Sequence, residues 1–333
     1  MTSRVHSASS SQPLVLTEDE VRDLLSVDDA ISAVRGAFSQ AAQGHVSLLA
    51  GERFIVDQHS GEFVIRGAYV HTEPYFCLKV ATGFYNNPTK GLPVGGGMML
   101  LFNAGTGELA SVILDNGYLG ALRTGAGGAV ATDVLAKKTV ERVLLVGTGR
   151  QARHQLESLL RVRSPELVEV YVRTEGASAI FAREMGDRTG CAIVPAGSLE
   201  EAASAADLVI TATSAHEPFL RAEWLKPGSH VTAIGAKHEL FPEVFEKADK
   251  IVVDSRQECL AHGDICFAVE AGSLQPEGIS AELGEITSGM LPGREVDDEI
   301  TVAVLSGLGF QDAAVGTAVL DEARRRRVGR PLA

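Results

Sequence analysis

The sequence predicts a doubly wound α/β domain, a parallel sheet with helices on both faces, inserted into a second α+β domain made from both chain ends. Three observations carry this. A short apolar run at 142–146 ends in Gly147-Thr148-Gly149-Arg150-Gln151-Ala152, and Ala152, Leu156, Leu159 and Leu160 then fall on one helical face, so the glycines sit at a strand-to-helix turn. Further apolar runs at 208–211, 230–234 and 251–254 each follow a helical pattern, which is the alternation of a parallel sheet. Outside about 120–303 the pattern changes, giving expected bounds of 13–119 with 304–333 for the second domain and 120–303 for the Rossmann domain.

The elements follow in order. Residues 1–12 are rich in Ser and read as a flexible tail, not a signal peptide. Thr17-Glu18-Asp19-Glu20 is a capping box, with Val21, Leu24 and Leu25 at helical spacing behind it. Ser26 then caps a second helix whose inner face is Ile31, Val34 and Phe38. Between 50 and 115, short runs such as Phe63-Val64-Ile65, Phe76-Cys77-Leu78-Lys79-Val80 and Met98-Met99-Leu100-Leu101-Phe102 are separated by Gly, Pro and Asn clusters, which predicts strands and turns. A helix over 119–135 leads into the glycine turn, and a long helix over 311–327 returns to the first domain.

The turn points to a ligand. Gly147 permits the tight turn, Gly149 the close approach of a pyrophosphate, and Ala152 the packing of helix on strand, with the helix N-terminus facing the phosphate charge. Roughly 20 residues on, an acid at the next strand end would bind a ribose 2′-hydroxyl. The strand at 167–172 instead ends in Arg173-Thr174-Glu175. A guanidinium and a hydroxyl suit a 2′-phosphate, so NADP(H) is expected in preference to NAD(H), which Glu175 leaves open.

Composition narrows the field. With 333 residues, 45% hydrophobic and 22% charged, the chain has room for two cores. A net charge of −13 argues against nucleic acid, and Arg324 to Arg327 reads as the solvated end of the last helix. No run approaches the roughly 18–20 apolar residues that span a bilayer, so no membrane partner and a cytoplasmic location are expected. Cys77, Cys191, Cys259 and Cys266 lack metal-ligand spacing and read as buried thiols, with no metal site.

Three cations stand out in the flanking domain. Lys79 interrupts an apolar strand, where an unpaired ammonium is expensive; Arg123 lies among small residues in Gly-Ala-Leu-Arg-Thr-Gly-Ala; Arg53 sits between Glu52 and Phe54. They form either a clamp for a substrate carboxylate, with Lys79 as acid or base near the reacting carbon, or salt bridges across a domain interface.

The runs Lys79-Val-Ala-Thr-Gly-Phe-Tyr-Asn-Asn-Pro88 with Gly91-Leu-Pro93, Ala121-Leu-Arg-Thr-Gly-Ala126, Gly147-Thr-Gly-Arg-Gln-Ala152 and Gly309-Phe-Gln-Asp312 resemble the ornithine cyclodeaminase/mu-crystallin family over nearly the whole chain. The resemblance implies a homodimer joined through the split domain, and an amino or imino acid held between the two domains. It implies that Arg53, Lys79, Arg123 and Asp312 meet the substrate, with Lys79 and Arg123 catalytic. Thr124, Gly147, Thr148, Gly149, Arg150, Gln151, Ala152, Arg173, Thr174, Thr211, Thr213 and Ile234 would meet the cofactor.

Two departures stand out. Cyclodeaminases and related alanine dehydrogenases carry an Asp after the Ile-Gly of the fourth Rossmann strand; this chain reads Ile234-Gly235-Ala236-Lys237-His238-Glu239-Leu240, shorter and without it. His238 or Glu239 would be the substitutes. Val304 stands where many relatives have a charged residue facing the substrate. The resemblance thus implies an NAD(P)H-dependent reductase of a C=N bond in a small imino acid or cyclic ketimine carboxylate. The alternatives are a cyclodeaminase or alanine-type dehydrogenase using NAD, and a non-catalytic dinucleotide-binding protein.

Overall fold

Alternating apolar residues between 14 and 114 produce strands that need a cover on one face, and the chain's own ends supply it. In the computed structural model, which describes residues 12–332 except Ala236, β1 (Leu14–Thr17), β2 (Val46–Val56), β3 (Gly61–Val70), β4 (Tyr75–Phe84), β5 (Gly95–Asn103) and β6 (Leu109–Leu114) share one sheet. The expected tail lies almost wholly outside the described residues. Two helices, Glu18–Leu24 and Val27–Ala42, bury Val21, Leu24, Ile31, Val34 and Phe38. Glu20 Oε2 accepts from the Thr17 N–H at 2.8 Å, and Ser26 Oγ accepts from the Asp29 N–H at 3.1 Å, so both expected caps form.

The helix Tyr118–Leu135 then carries the chain to the second sheet. Its strands are β7 (Arg142–Val146), β8 (Leu167–Tyr171), β9 (Ile193–Pro195), β10 (Leu208–Thr211), β11 (His230–Ala233), β12 (Lys250–Val253), β13 (Ala281–Glu282) and β14 (Thr301–Val304). Their order is β13-β12-β14-β11-β10-β7-β8-β9, with every pair parallel. The chain leaves β7 toward β8 and β9, then returns to β10 on the other side. The crevice at the carboxyl ends of β7 and β10 is therefore the switch point where such sheets bind ligands.

The final helix, Gly309–Arg326, lies across β3 and β4, and Phe310 meets Phe38 edge-on at 5.2 Å. Arg325 and Arg326 at its solvated end pair with Glu322. β15 (Arg330–Pro331) completes the first sheet in the order β15-β1-β6-β5-β4-β3-β2. The fold is thus the Rossmann sheet with a second mixed sheet that the sequence predicts. All four cysteines are free thiols, Cys77 and Cys259 buried, Cys191 and Cys266 half-buried. Among the described residues no helix is long and apolar enough to cross a membrane.

Candidate active site

The glycine turn needs its glycines. Gly147 has φ +116°, and a Cβ there would stand 2.4 Å from the Ala212 carbonyl oxygen, so neither the backbone nor the space admits a side chain. Over Gly149 nothing lies within 4 Å of a built Cβ, which leaves the backbone open to a ligand. The helix Arg150–Val162 starts there, with Ala152 buried beneath it. A cleft of about 810 Å³ opens above, lined by 147–151, by Arg173 and Thr174, and by 212–215. Gln151 Oε1 is buried without a donor, an orphaned acceptor of the kind that a bound carboxamide or ribose hydroxyl satisfies. These residues fit a dinucleotide.

The opposite wall carries the charge. Lys79 on β4 and Arg123 on the connecting helix are buried, and both reach Asp312 in the first turn of the final helix. Lys79 Nζ donates to Asp312 Oδ2 at 2.6 Å, and Arg123 Nε to Oδ1 at 2.9 Å. Arg123 Nη1 donates to Gln311 Oε1 at 3.0 Å, which also accepts from the Leu308 N–H. Burial, then the neighbouring Arg123, brings the Lys79 ammonium down to about 8, against the pull of Asp312. Burial pushes the Asp312 carboxyl up, but Arg123 and Lys79 outweigh it and hold it below the usual carboxylate range. Lys79 and Arg123 line the same cleft as the glycine turn.

A cleft shared by a dinucleotide turn and a buried Lys–Asp–Arg cluster has counterparts. Residues 11–327 match the model of the ornithine cyclodeaminase/mu-crystallin family. The chain belongs to that family. Among solved relatives, the Δ(1)-pyrroline-2-carboxylate reductase of Thermococcus litoralis, in complex with NADH and L-proline, is 31% identical, with a TM-score of 0.91 covering 96% of this chain and 100% of that one. An archaeal alanine dehydrogenase, a dimer with bound NAD, is 35% identical (TM-score 0.89; 97% and 99% covered). The iminosuccinate reductase of Paracoccus denitrificans, with NAD⁺, is 26% identical (TM-score 0.88; 96% and 99% covered).

Not every residue expected from the family resemblance reaches the cleft. Arg53 on β2 is exposed and paired with Glu62, its neighbour on the same sheet face, so the structure does not bring it to Lys79 and Arg123. Thr211 is fully buried below the cleft floor, its hydroxyl donating to Glu239 Oε2 at 2.6 Å. Thr124 and Ile234 line a smaller cavity of about 150 Å³ beside Arg123, with Ser306, Gly307 and Gln311. Thr124 Oγ1 donates to the Gly120 carbonyl at 2.8 Å, within its own helix.

Among the described residues, the loop after β11 puts no acid or base in the cleft. Glu239 is fully buried and accepts from Thr211 Oγ1, from the Thr213 N–H and hydroxyl, and from the Gly235 N–H, at 2.6 to 2.9 Å. Its carboxylate ties the ends of β10 and β11 together. The His238 ring lies tilted against Phe267, ring centroids 4.5 Å apart. Val304 packs in the Rossmann core, and the residues after it, Ser306 and Gly307, face the small cavity instead.

One cation escaped the sequence. Arg66 on β3 stands directly opposite Lys79 in the β3:β4 register and donates through Nη1 to the Ser306 and Gly307 carbonyls. Burial, then Arg123, lowers its basicity. The signal was the one that flagged Lys79, a charge set in an apolar strand, and here it falls directly after Phe63-Val64-Ile65.

Proposed function

We propose that this chain is an NAD(P)H-dependent reductase of a C=N bond in a small imino acid or cyclic ketimine carboxylate. The observation that carries this is the Lys79–Asp312–Arg123 cluster opening into the cleft that the glycine turn floors. The pyrroline-2-carboxylate and iminosuccinate reductases among its relatives support it, since both substrates are imino acids.

Gly147, Thr148 and Gly149 would hold the dinucleotide's pyrophosphate end, Gln151 a carboxamide or ribose hydroxyl, and Arg173 with Thr174 a 2′-phosphate, which favours NADP(H). A bound reduced dinucleotide would supply a hydride for the imine carbon and become oxidised, and the nitrogen would keep or gain a proton. Arg123 Nη2 has no acceptor among the described residues and is directed to the substrate carboxylate. Lys79, an ammonium at pH 7, holds its proton toward the imine nitrogen. Asp312 takes one hydrogen from each cation, fixing both and balancing one charge. A protonated imine is electrophilic enough that positioning supplies most of the remainder.

The test is oxidation of NADPH and NADH, side by side, with 1-pyrroline-2-carboxylate as acceptor. NADPH oxidation in clear preference, reversed toward NADH in Arg173→Glu, is the expected result. Oxidation of neither, with NAD reduction by L-alanine or ammonia release from L-ornithine, would replace this reading with the oxidative one that the alanine dehydrogenase relative represents. Tight dinucleotide binding with no turnover of any of these would leave a binding protein.

A further inference from the structure

The chain passes from the second sheet back to the first at residues 305–308, between the end of β14 and the start of the final helix. Both edges of the turn in that passage are held. Asp254, directly after β12 and 4% exposed, accepts from the Ser306 N–H at 3.0 Å and hydroxyl at 2.9 Å through Oδ1, and from the Gly307 N–H at 2.6 Å through Oδ2. The Cys259 thiol lies 3.5 Å from Oδ1. From the first sheet, Arg66 on β3 donates through Nη1 to the carbonyls of the same two residues. Gln311 Oε1 takes the Leu308 N–H at 3.0 Å. Burial of Gly307 and Leu308 calls for such partners, but Ser306 is exposed, and its two donors could go to water. They go instead to a buried carboxylate.

What the turn touches explains the effort. Gly307 has φ +77°, and a Cβ there would stand 2.3 Å from Arg123 Nη1 and 3.0 Å from Nη2, so bare backbone lies against the guanidinium. Arg123 is bonded through Nε to Asp312 and through Nη1 to Gln311. Those two bonds run along one edge of the guanidinium and leave its plane free to swing about that edge. The Gly307 backbone blocks the swing on one side and so sets where Nη2 points.

We propose that Asp254 is a positioning residue for the substrate's carboxylate, acting by holding the Ser306–Gly307 turn against Arg123 while Arg66 grips the turn's other edge. This rests on the assignment of Arg123 to the substrate carboxylate above. Asp254 itself lines neither cavity, whereas Ser306, Gly307 and Arg123 line the smaller one together. Misplacing a substrate clamp by about 1 Å can cost about 100-fold in rate, so a loosened turn is felt at the reaction.

The experiment is a double-mutant cycle. Reduction of 1-pyrroline-2-carboxylate, and calorimetric binding of L-proline with oxidised dinucleotide present, are measured for wild type, Asp254→Asn, Ser306→Ala, Arg123→Lys, and each of the first two combined with Arg123→Lys. Asp254→Asn turns an amino group toward an N–H donor and should raise KM and weaken L-proline binding by about tenfold. Ser306→Ala removes a single hydrogen bond and should do the same by about threefold; it carries the cycle if Asp254→Asn does not fold. A residue that acts through Arg123 has little left to lose once the guanidinium is gone, so in the Arg123→Lys background either step should shrink to about twofold or less.

Steps of full size in that background would make Asp254 a support of the fold alone and overturn the proposal, as would unchanged KM and L-proline affinity in both single variants. An Arg123→Lys protein that binds and turns over like wild type would sink the carboxylate assignment and the proposal with it. L-proline binding that follows the expected cycle without any imine turnover would uphold the positioning role and sink the reductase reading.

Discussion

Lys79 is an ammonium brought down to about 8 by burial and by Arg123. Its proton is therefore present at pH 7 and is lost as pH rises through that value. Imine reduction should fall along the same limb, read as kcat/KM against pH. Asp312 favours the charged form, so Asp312→Asn should move the limb to lower pH as well as slow the reaction. A limb that stays in place in that variant would belong to the substrate's own titration.

Lys79 and Arg123 were legible because a charge in an apolar or small-residue run must find a partner or a purpose. Asp312, their partner, was legible only through the family resemblance, since nothing local marks it. Sequence singled out Arg53 and missed Arg66, because which of them meets Lys79 depends on register across three strands. In the structure Arg66 is the direct neighbour of Lys79, and Arg53 is held by Glu62.

At the scale of elements, local signals survived best. The capping box at Thr17, the Ser26 cap, the glycine turn and the two long helices need only a few neighbouring residues to declare themselves. Glu239 shows the opposite case. A carboxylate next to a histidine in a surface-like turn looked available for proton transfer, yet it is a knot under the cleft floor. It receives four donors from β10, the loop after it and the end of β11.

Glu239→Gln replaces one of its two accepting oxygens with an amino group that faces donors. The expected cost is about 1–3 kcal/mol, seen as a lower denaturation midpoint. The loop 212–215 lines the cleft, so dinucleotide affinity should fall with it. Unchanged affinity in a destabilised variant would mean that the knot supports the sheet alone.

For the whole molecule, the informative surface is β2. It is an edge strand, and its adjacent pairs Leu48–Leu49 and Phe54–Ile55 are 46 to 66% exposed. Neighbouring residues of a strand point to opposite faces, so both faces of this edge are uncovered and apolar. We expect a second copy to cover it, as the family resemblance implies and as the archaeal relative's dimer exemplifies. Sedimentation should give a dimer for wild type and a monomer for Phe54→Asp; a monomeric wild type would refute the assignment.

The split domain also sets a timetable. Lys79 and Asp312 are 233 residues apart, and Arg123 and Asp312 are 189. At the usual pace of synthesis the carboxylate leaves the ribosome roughly 10–50 s after the lysine. All strands of the Rossmann sheet emerge in that interval and pair with one another. The first sheet waits, because its covering helix and its β15 edge follow the Rossmann strands in the chain. Until then two cations destined for burial have no counter-charge, and closing the sheet over them is opposed. The same carboxylate that orients the site therefore also supplies the counter-charge that closing the first domain over Lys79 and Arg123 requires.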